Sequence, residues 1–184
     1  MPQNAVLIII DVQKGMDDDQ LGHRNNPEAE ANIAHLLAAW RETGRPVFHV
    51  QHLSLQPDSP LRAELPGNEI KDEVKPQNGE RIFQKHVNSA FIGTDLEQEL
   101  RQHGYDTLVI VGLTTPHCVS TTARMAGNLG FLTTVVSDAT AAFDVIGPDG
   151  QFHNAEEVHQ VSLAVLHGEF ATVSDTRKVL QSLA

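Results

Sequence analysis

Apolar runs and amphipathic runs alternate along the chain. Ala5 to Ile10, AVLIII, is a continuous aliphatic run, the pattern of a strand buried on both faces of a sheet. In NNPEAEANIAHLLAAW, Ile33, Leu36, Leu37 and Trp40 fall at i, i+3, i+4 and i+7 and mark one stripe of a helix. Asn26 reads as its N-cap, with Pro27 at the first helical position and Gly44 as the stop. PVFHVQH (Pro46 to His52) predicts a second strand and RIFQK (Arg81 to Lys85) a third. TDLEQELRQHG opens with a Thr94/Glu97 capping box and ends at Gly104. TLVIVG, a helix around the single cysteine, FLTTVV, the helix NAEEVHQVSLAVLHG, FATV and a short C-terminal helix complete the series.

Six strand candidates separated by helical segments predict an α/β domain with a parallel sheet covered on both faces. With no repeat or linker in view, residues 1–184 read as one domain. The exception to the regular pattern is Leu53 to Glu80, with four prolines and no periodicity. A connection of that length is expected to be a lid, a binding loop or an oligomer contact.

Composition narrows the function classes. A formal net charge of -11 over 184 residues disfavours nucleic acid and anionic membrane surfaces as partners. One cysteine forms no internal disulfide, so an oxidising compartment is not required. The opening MPQNAVLIIIDVQ has no basic segment and too short an apolar run for a signal peptide or a membrane span. A cytoplasmic protein acting on a small molecule is the expectation.

In an open parallel sheet, ligands bind outside the carboxyl ends of the strands. Asp11 follows the first aliphatic run, Lys85 closes RIFQK, and Cys118 lies just past TLVIVG. Each has a plain alternative: a turn-forming Asp, a solvated edge Lys, a buried and inert Cys. Their shared rim is what singles them out, and a helix start beside Cys118 favours a thiolate.

Three blocks resemble the isochorismatase-like cysteine hydrolases, the superfamily of nicotinamidases and N-carbamoylsarcosine amidohydrolases. They are LIIIDVQKGM, FQKHVNSAFIGTDLEQEL and VGLTTPHCVSTTARMAGNLGF, in the family's order and spacing over roughly the first 140 residues. The resemblance implies a three-layer α/β/α fold with a six-stranded, mainly parallel sheet. It implies a Cys118–Asp11–Lys85 triad, a non-proline cis peptide between Leu113 and Thr114, and an oxyanion hole from the N–H groups of Thr114 and Cys118. It further implies a homo-oligomer, a dimer or tetramer, and substrate contacts near Gln13, Met16, His52, Phe91 and His117. No cofactor is expected. The activity implied is hydrolysis of an amide, ureide or carbamoyl C–N bond through a thioester. An isochorismatase-type vinyl ether hydrolase and a non-catalytic oligomeric binding protein are the rivals.

Reference pKa values of about 8.5 for Cys and 3.9 for Asp put the thiol-to-carboxylate proton transfer at a cost of about 6 kcal/mol in water. Asp11 serves as base only where the site narrows that gap, by burial of the carboxyl and by positive charge near the sulfur. His117 is adjacent to Cys118, and neighbours on a helix point apart, which argues against a Cys–His dyad. His49 and His52, at i, i+3 in a strand, face opposite sides, and no HExxH or zinc-ligand spacing occurs among the ten histidines. A catalytic metal is therefore not expected.

Overall fold

The computed structural model describes residues 1–183. The chain begins with β1 (Val6–Ile10), α1 (Ala29–Glu42), β2 (Val47–His52) and β3 (Arg81–Lys85). It continues with α2 (Leu96–Gln102), β4 (Thr107–Leu113), a π-helical turn at Thr115–Val119 and α3 (Ser120–Asn128). β5 (Leu132–Ala141), β6 (Val145–Ile146), β7 (Phe152–His153), α4 (Ala155–Leu166), β8 (Thr172–Ser174) and α5 (Thr176–Gln181) follow. Six strands form one sheet in the order β3-β2-β1-β4-β5-β8, and every adjacent pair is parallel.

Strand alternation sorts the side chains into two cores. Val6, Ile8 and Ile10 of β1 point to the face covered by α2, α3 and α4, with Leu96, Leu100, Ala123, Ala126, Leu163 and Leu166 against them. Leu7 and Ile9 point to the other face, against Ile33, Leu36, Leu37 and Trp40 of α1 and Val179 of α5. β1 is buried at all five positions, which is why its sequence is apolar without alternation. The result is the expected three-layer α/β/α arrangement.

Three local expectations change. α1 starts at Ala29, and Asn26 is not its cap. Asn26 instead adopts φ 46 and donates from Nδ2 to the carbonyls of Ser137 and Thr140 at 3.0 and 2.7 Å, tying the loop before α1 to β5. Thr94 does not form a capping box with Glu97. Its hydroxyl donates to Ala90 O at 2.5 Å and accepts from Leu96 N at 3.3 Å, while Glu97 faces Arg101 one turn on. The β6–β7 hairpin was not legible, because two-residue strands are too short to show a period.

Strand order runs from β1 to β2 and β3 on one side and from β4 to β5 and β8 on the other. The crevice therefore opens where β1 and β4 end side by side. Gly112 makes that junction possible. Its φ is +117, and a Cβ there would lie 2.0 Å from Ile10 O. Here β4 also shifts register against β5. Gly112→Ala is expected to destabilise the fold by at least about 3 kcal/mol in chemical denaturation. Gly130→Ala, at φ +84 with nothing within 4 Å of where its Cβ would lie, should cost only about 1–2 kcal/mol. Equal losses for the two would show that the close approach to Ile10 is unimportant.

Candidate active site

β1, β2, β3 and the turn after β4 each deliver one side chain to the crevice. Asp11 follows β1 directly and is held at φ 50, a left-handed conformation uncommon outside glycine. Its amide donates to Val50 O at 3.0 Å, so β2 fixes the bend. Lys85 ends β3 and lies opposite His52, the last residue of β2, in the parallel register. Cys118 sits in the π-helical turn, which begins directly after the cis peptide between Leu113 and Thr114. That turn continues without a break into α3, so the sulfur is two residues before the regular helix rather than on it.

The Lys85 ammonium is the centre of the cluster. Nζ donates to Asp11 Oδ2 at 2.6 Å and to Cys118 Sγ at 3.3 Å, and contacts His52 Nδ1 at 3.0 Å. An ammonium has three donors and no acceptor, so His52 Nδ1 accepts and the ring proton resides on Nε2. Asp11 and Lys85 are both inaccessible to solvent. Oδ1 of Asp11 is buried without a hydrogen-bond partner among the described residues. This orphaned carboxylate oxygen is free to receive a proton.

Burial dominates the electrostatics. It raises the Asp11 carboxyl above its ordinary value, against the lowering pull of Lys85. Burial likewise pushes the Cys118 thiol up to about 12, the Asp11 charge adding to it and Lys85 opposing it. His52 falls to about 4 through burial and then the Lys85 charge, and is neutral across the physiological range. The resting sulfur is therefore a thiol: Lys85 lowers its value as expected, but burial and the Asp11 charge outweigh that lowering.

A cavity of about 390 Å³ opens over the cluster. Asp11, Thr114 and Cys118 line it, as do the candidates Met16, His52 and His117. His117 is at the exposed rim, with Nδ1 3.1 Å from Thr114 Oγ1. Gln13 and Phe91 lie away from the wall. The Gln13 amide is consumed by structure: Nε2 donates to His52 O and Asn68 O at 3.0 and 2.9 Å, and Oε1 accepts from His52 N at 2.9 Å. Phe91 stacks on Phe131, their centroids 5.8 Å apart, within the core beneath α3. Leu113 is wholly buried and contributes only backbone.

Ser59, Pro60 and Leu61 of the long loop, together with Asn88, Phe143 and Asp144, also line the cavity. The proline-rich segment thus forms one wall, pinned by Lys71 to Asp17 and Glu30 at 2.6 Å each. Asp144 carried no motif. Its one signal is an acidic residue in AAFDVI, just beyond the carboxyl end of the fifth strand.

Asp11, His52 and Cys118 offer metal-type ligand atoms within 4.8 Å of one another. Lys85 Nζ touches all three residues, so an ion would have to displace a buried ammonium. Among the described residues, no helix is long and apolar enough to cross a membrane.

A thiol and a carboxylate within 4.8 Å of each other, bridged by one ammonium at the switch point of an α/β/α sheet, define a cysteine-hydrolase type of site. Residues 5–178 match the isochorismatase domain model, and the chain belongs to the isochorismatase family of hydrolases. It is 49% identical over 180 residues to the isochorismatase family protein YrdC of Bacillus subtilis (strain 168), covering 98% of this chain and 96% of that protein. A solved isochorismatase-family hydrolase from Chromobacterium violaceum ATCC 12472 superposes with a TM-score of 0.96 at 43% identity, covering 99% and 94% of the two chains. N-carbamoylsarcosine amidase from Thermoplasma acidophilum follows the same fold with a TM-score of 0.75 at 26% identity, covering 94% and 96%.

Lys85→Met leaves the buried Asp11 carboxylate without its counter-charge and should cost about 3–5 kcal/mol at neutral pH. The folded Asp11 pKa then rises further above its unfolded value, so the fold gains by taking up a proton in acid. The deficit relative to wild type should shrink as pH falls, read from denaturation midpoints. A deficit that stays constant between acid and neutral pH would refute the charge-pair account.

Proposed function

We propose that the protein is a cysteine-dependent amidohydrolase that cleaves the C–N bond of a small amide, ureide or carbamoyl compound through a thioester. The observation that carries this reading is an Asp11 carboxylate with one unpartnered oxygen, within 4.8 Å of the Cys118 sulfur on the wall of a cavity, with the buried Lys85 bridging the pair from behind.

Asp11 takes the thiol proton as the sulfur attacks the substrate carbonyl, and the backbone N–H groups of Thr114 and Cys118 receive the oxyanion. Losing the Cys118 proton to water would leave two anions beside one ammonium. Moving it to Asp11 keeps the net charge of the cluster unchanged, so a thiol with a pKa near 12 is still activated from within. Lys85 stabilises the anion on whichever partner holds it. Asp11 then returns the proton to the departing amine and deprotonates the water that releases the acid. The similarity to an N-carbamoylsarcosine amidase supports this choice of bond. A vinyl ether hydrolase would have no use for the thiol.

Brief exposure to a panel of small amides should add an acyl mass to Cys118 in intact mass spectrometry. Cys118→Ala should carry no adduct and lose turnover by at least about a thousandfold. Wild-type turnover in Cys118→Ala would end the thioester reading.

A further inference from the structure

The charges around the cavity say more than the triad does. Asp11 and Asp144 are carboxylates on its lining, and no lysine or arginine lines it among the described residues. Its imidazoles are His52, held neutral by burial and the adjacent ammonium, and His117 at the outer rim.

Every nearby cation is already engaged. Lys85 is spent on Asp11 at 2.6 Å, Arg24 on Glu30 at 2.6 Å, Lys71 on Asp17 and Glu30, and Lys14 on Glu69 at 2.5 Å. An adjoining cleft, which shares Gly15, Ser59 and Pro60 with the cavity, adds Asp17, Asp18 and Asp58.

Asp144 is placed on purpose by the fold. Its Oδ1 accepts from Ala155 N at 2.7 Å at the start of α4, and its amide donates to His23 O at 3.0 Å. The nearest basic group to the carboxylate is the exposed His23, at 3.9 Å. Met16, Leu21, Leu61 and Phe143 give the wall its apolar part, and its other polar side chains, Ser59, Asn88 and Thr114, are uncharged.

We infer that this site selects amides that carry no carboxylate, either uncharged or amine-bearing ones with an apolar body, and that Asp144 is the residue that sets the preference. This deepens the amidohydrolase reading and rests on it for the bond cleaved. A substrate carboxylate would be desolvated beside Asp144 with no free cation to receive it, the Lys85 ammonium being already matched by Asp11, which costs far more than burying a neutral group. A dicarboxylate such as isochorismate falls on the rejected side. A cationic or neutral amide is drawn to the mouth or is at least not repelled.

The test uses two charge series on the intact protein. In the first, Cys118 is modified with methanethiosulfonates bearing a trimethylammonium, a methyl or a sulfonate end, each rate divided by that of free cysteine. The cationic reagent should outrun the anionic one by about tenfold or more at low salt, the gap closing as salt rises. In the second, valeramide, aminovaleramide and glutaramate, similar in length and differing in terminal charge, are compared by kcat/KM and by acyl adduct. Glutaramate should be the poorest by a similar factor. Asp144→Asn retains an oxygen to accept from Ala155 N while removing the charge, and should pull the cation-to-anion ratio toward one in both series. Equal or faster reaction of the anionic members in wild type overturns the inference, and an unchanged ratio in Asp144→Asn overturns the role of Asp144. If no amide forms an adduct while the thiosulfonate ratio holds, the amidohydrolase reading falls and the charge selection stands.

Discussion

A lysine ammonium buried out of reach of water is the constraint on which this site is built. Taking such a charge into the interior costs several kcal/mol, and one carboxylate repays that only when the remaining donors are also satisfied. Lys85 meets the condition with three acceptors, Asp11, His52 and Cys118, drawn from the ends of β1 and β2 and from the turn after β4. The backbone features nearby serve the same end. Asp11 bends into a left-handed conformation, Gly112 lets β1 and β4 close to contact, and Gln13 clamps His52 by its own backbone.

This arrangement explains why the thiol is at once hard to ionise and ready to react. Burial and Asp11 hold the proton on sulfur, which protects an isolated thiol from adventitious chemistry. The same carboxylate offers an acceptor within the cluster, so that the transfer leaves the cluster's net charge unaltered. In the proposed mechanism reactivity is thereby tied to a substrate occupying the cavity, where the attack and the proton transfer proceed together. His52, neutral and oriented by the ammonium, presents its N–H from the wall without adding charge.

Much of this was legible in the residues because the relevant signals are local. AVLIII and TLVIVG reveal central strands by lacking alternation, and the Ile33–Trp40 stripe reveals a helix by its period; all are buried as that pattern requires. The triad was legible because a parallel sheet turns three distant strand ends into one rim. What escaped depends on tertiary contact. Asn26 looks like a cap, yet the carbonyls of β5 claim its side chain. Gln13 looks like a rim residue, yet the unsatisfied backbone of His52 and Asn68 claims its amide. The sign of the thiol shift could not be read either, since burial and two opposing charges compete at distances no spacing encodes. Asp144 escaped for a similar reason, as a wall residue in the irregular stretch between β5 and β6, which carries no pattern.

The central claim is that Asp11, Lys85 and Cys118 share one electrostatic field. A titration of the ultraviolet thiolate absorbance, in wild type and in Asp11→Asn, probes it most directly. Wild type should form thiolate only in strong alkali, near the value of about 12 set by burial and the Asp11 charge. Asp11→Asn removes the raising charge and leaves Lys85 as the one charge acting against burial, so its thiolate should appear at lower pH than in wild type. An unchanged or higher titration point in Asp11→Asn would show that carboxylate and sulfur do not sense each other.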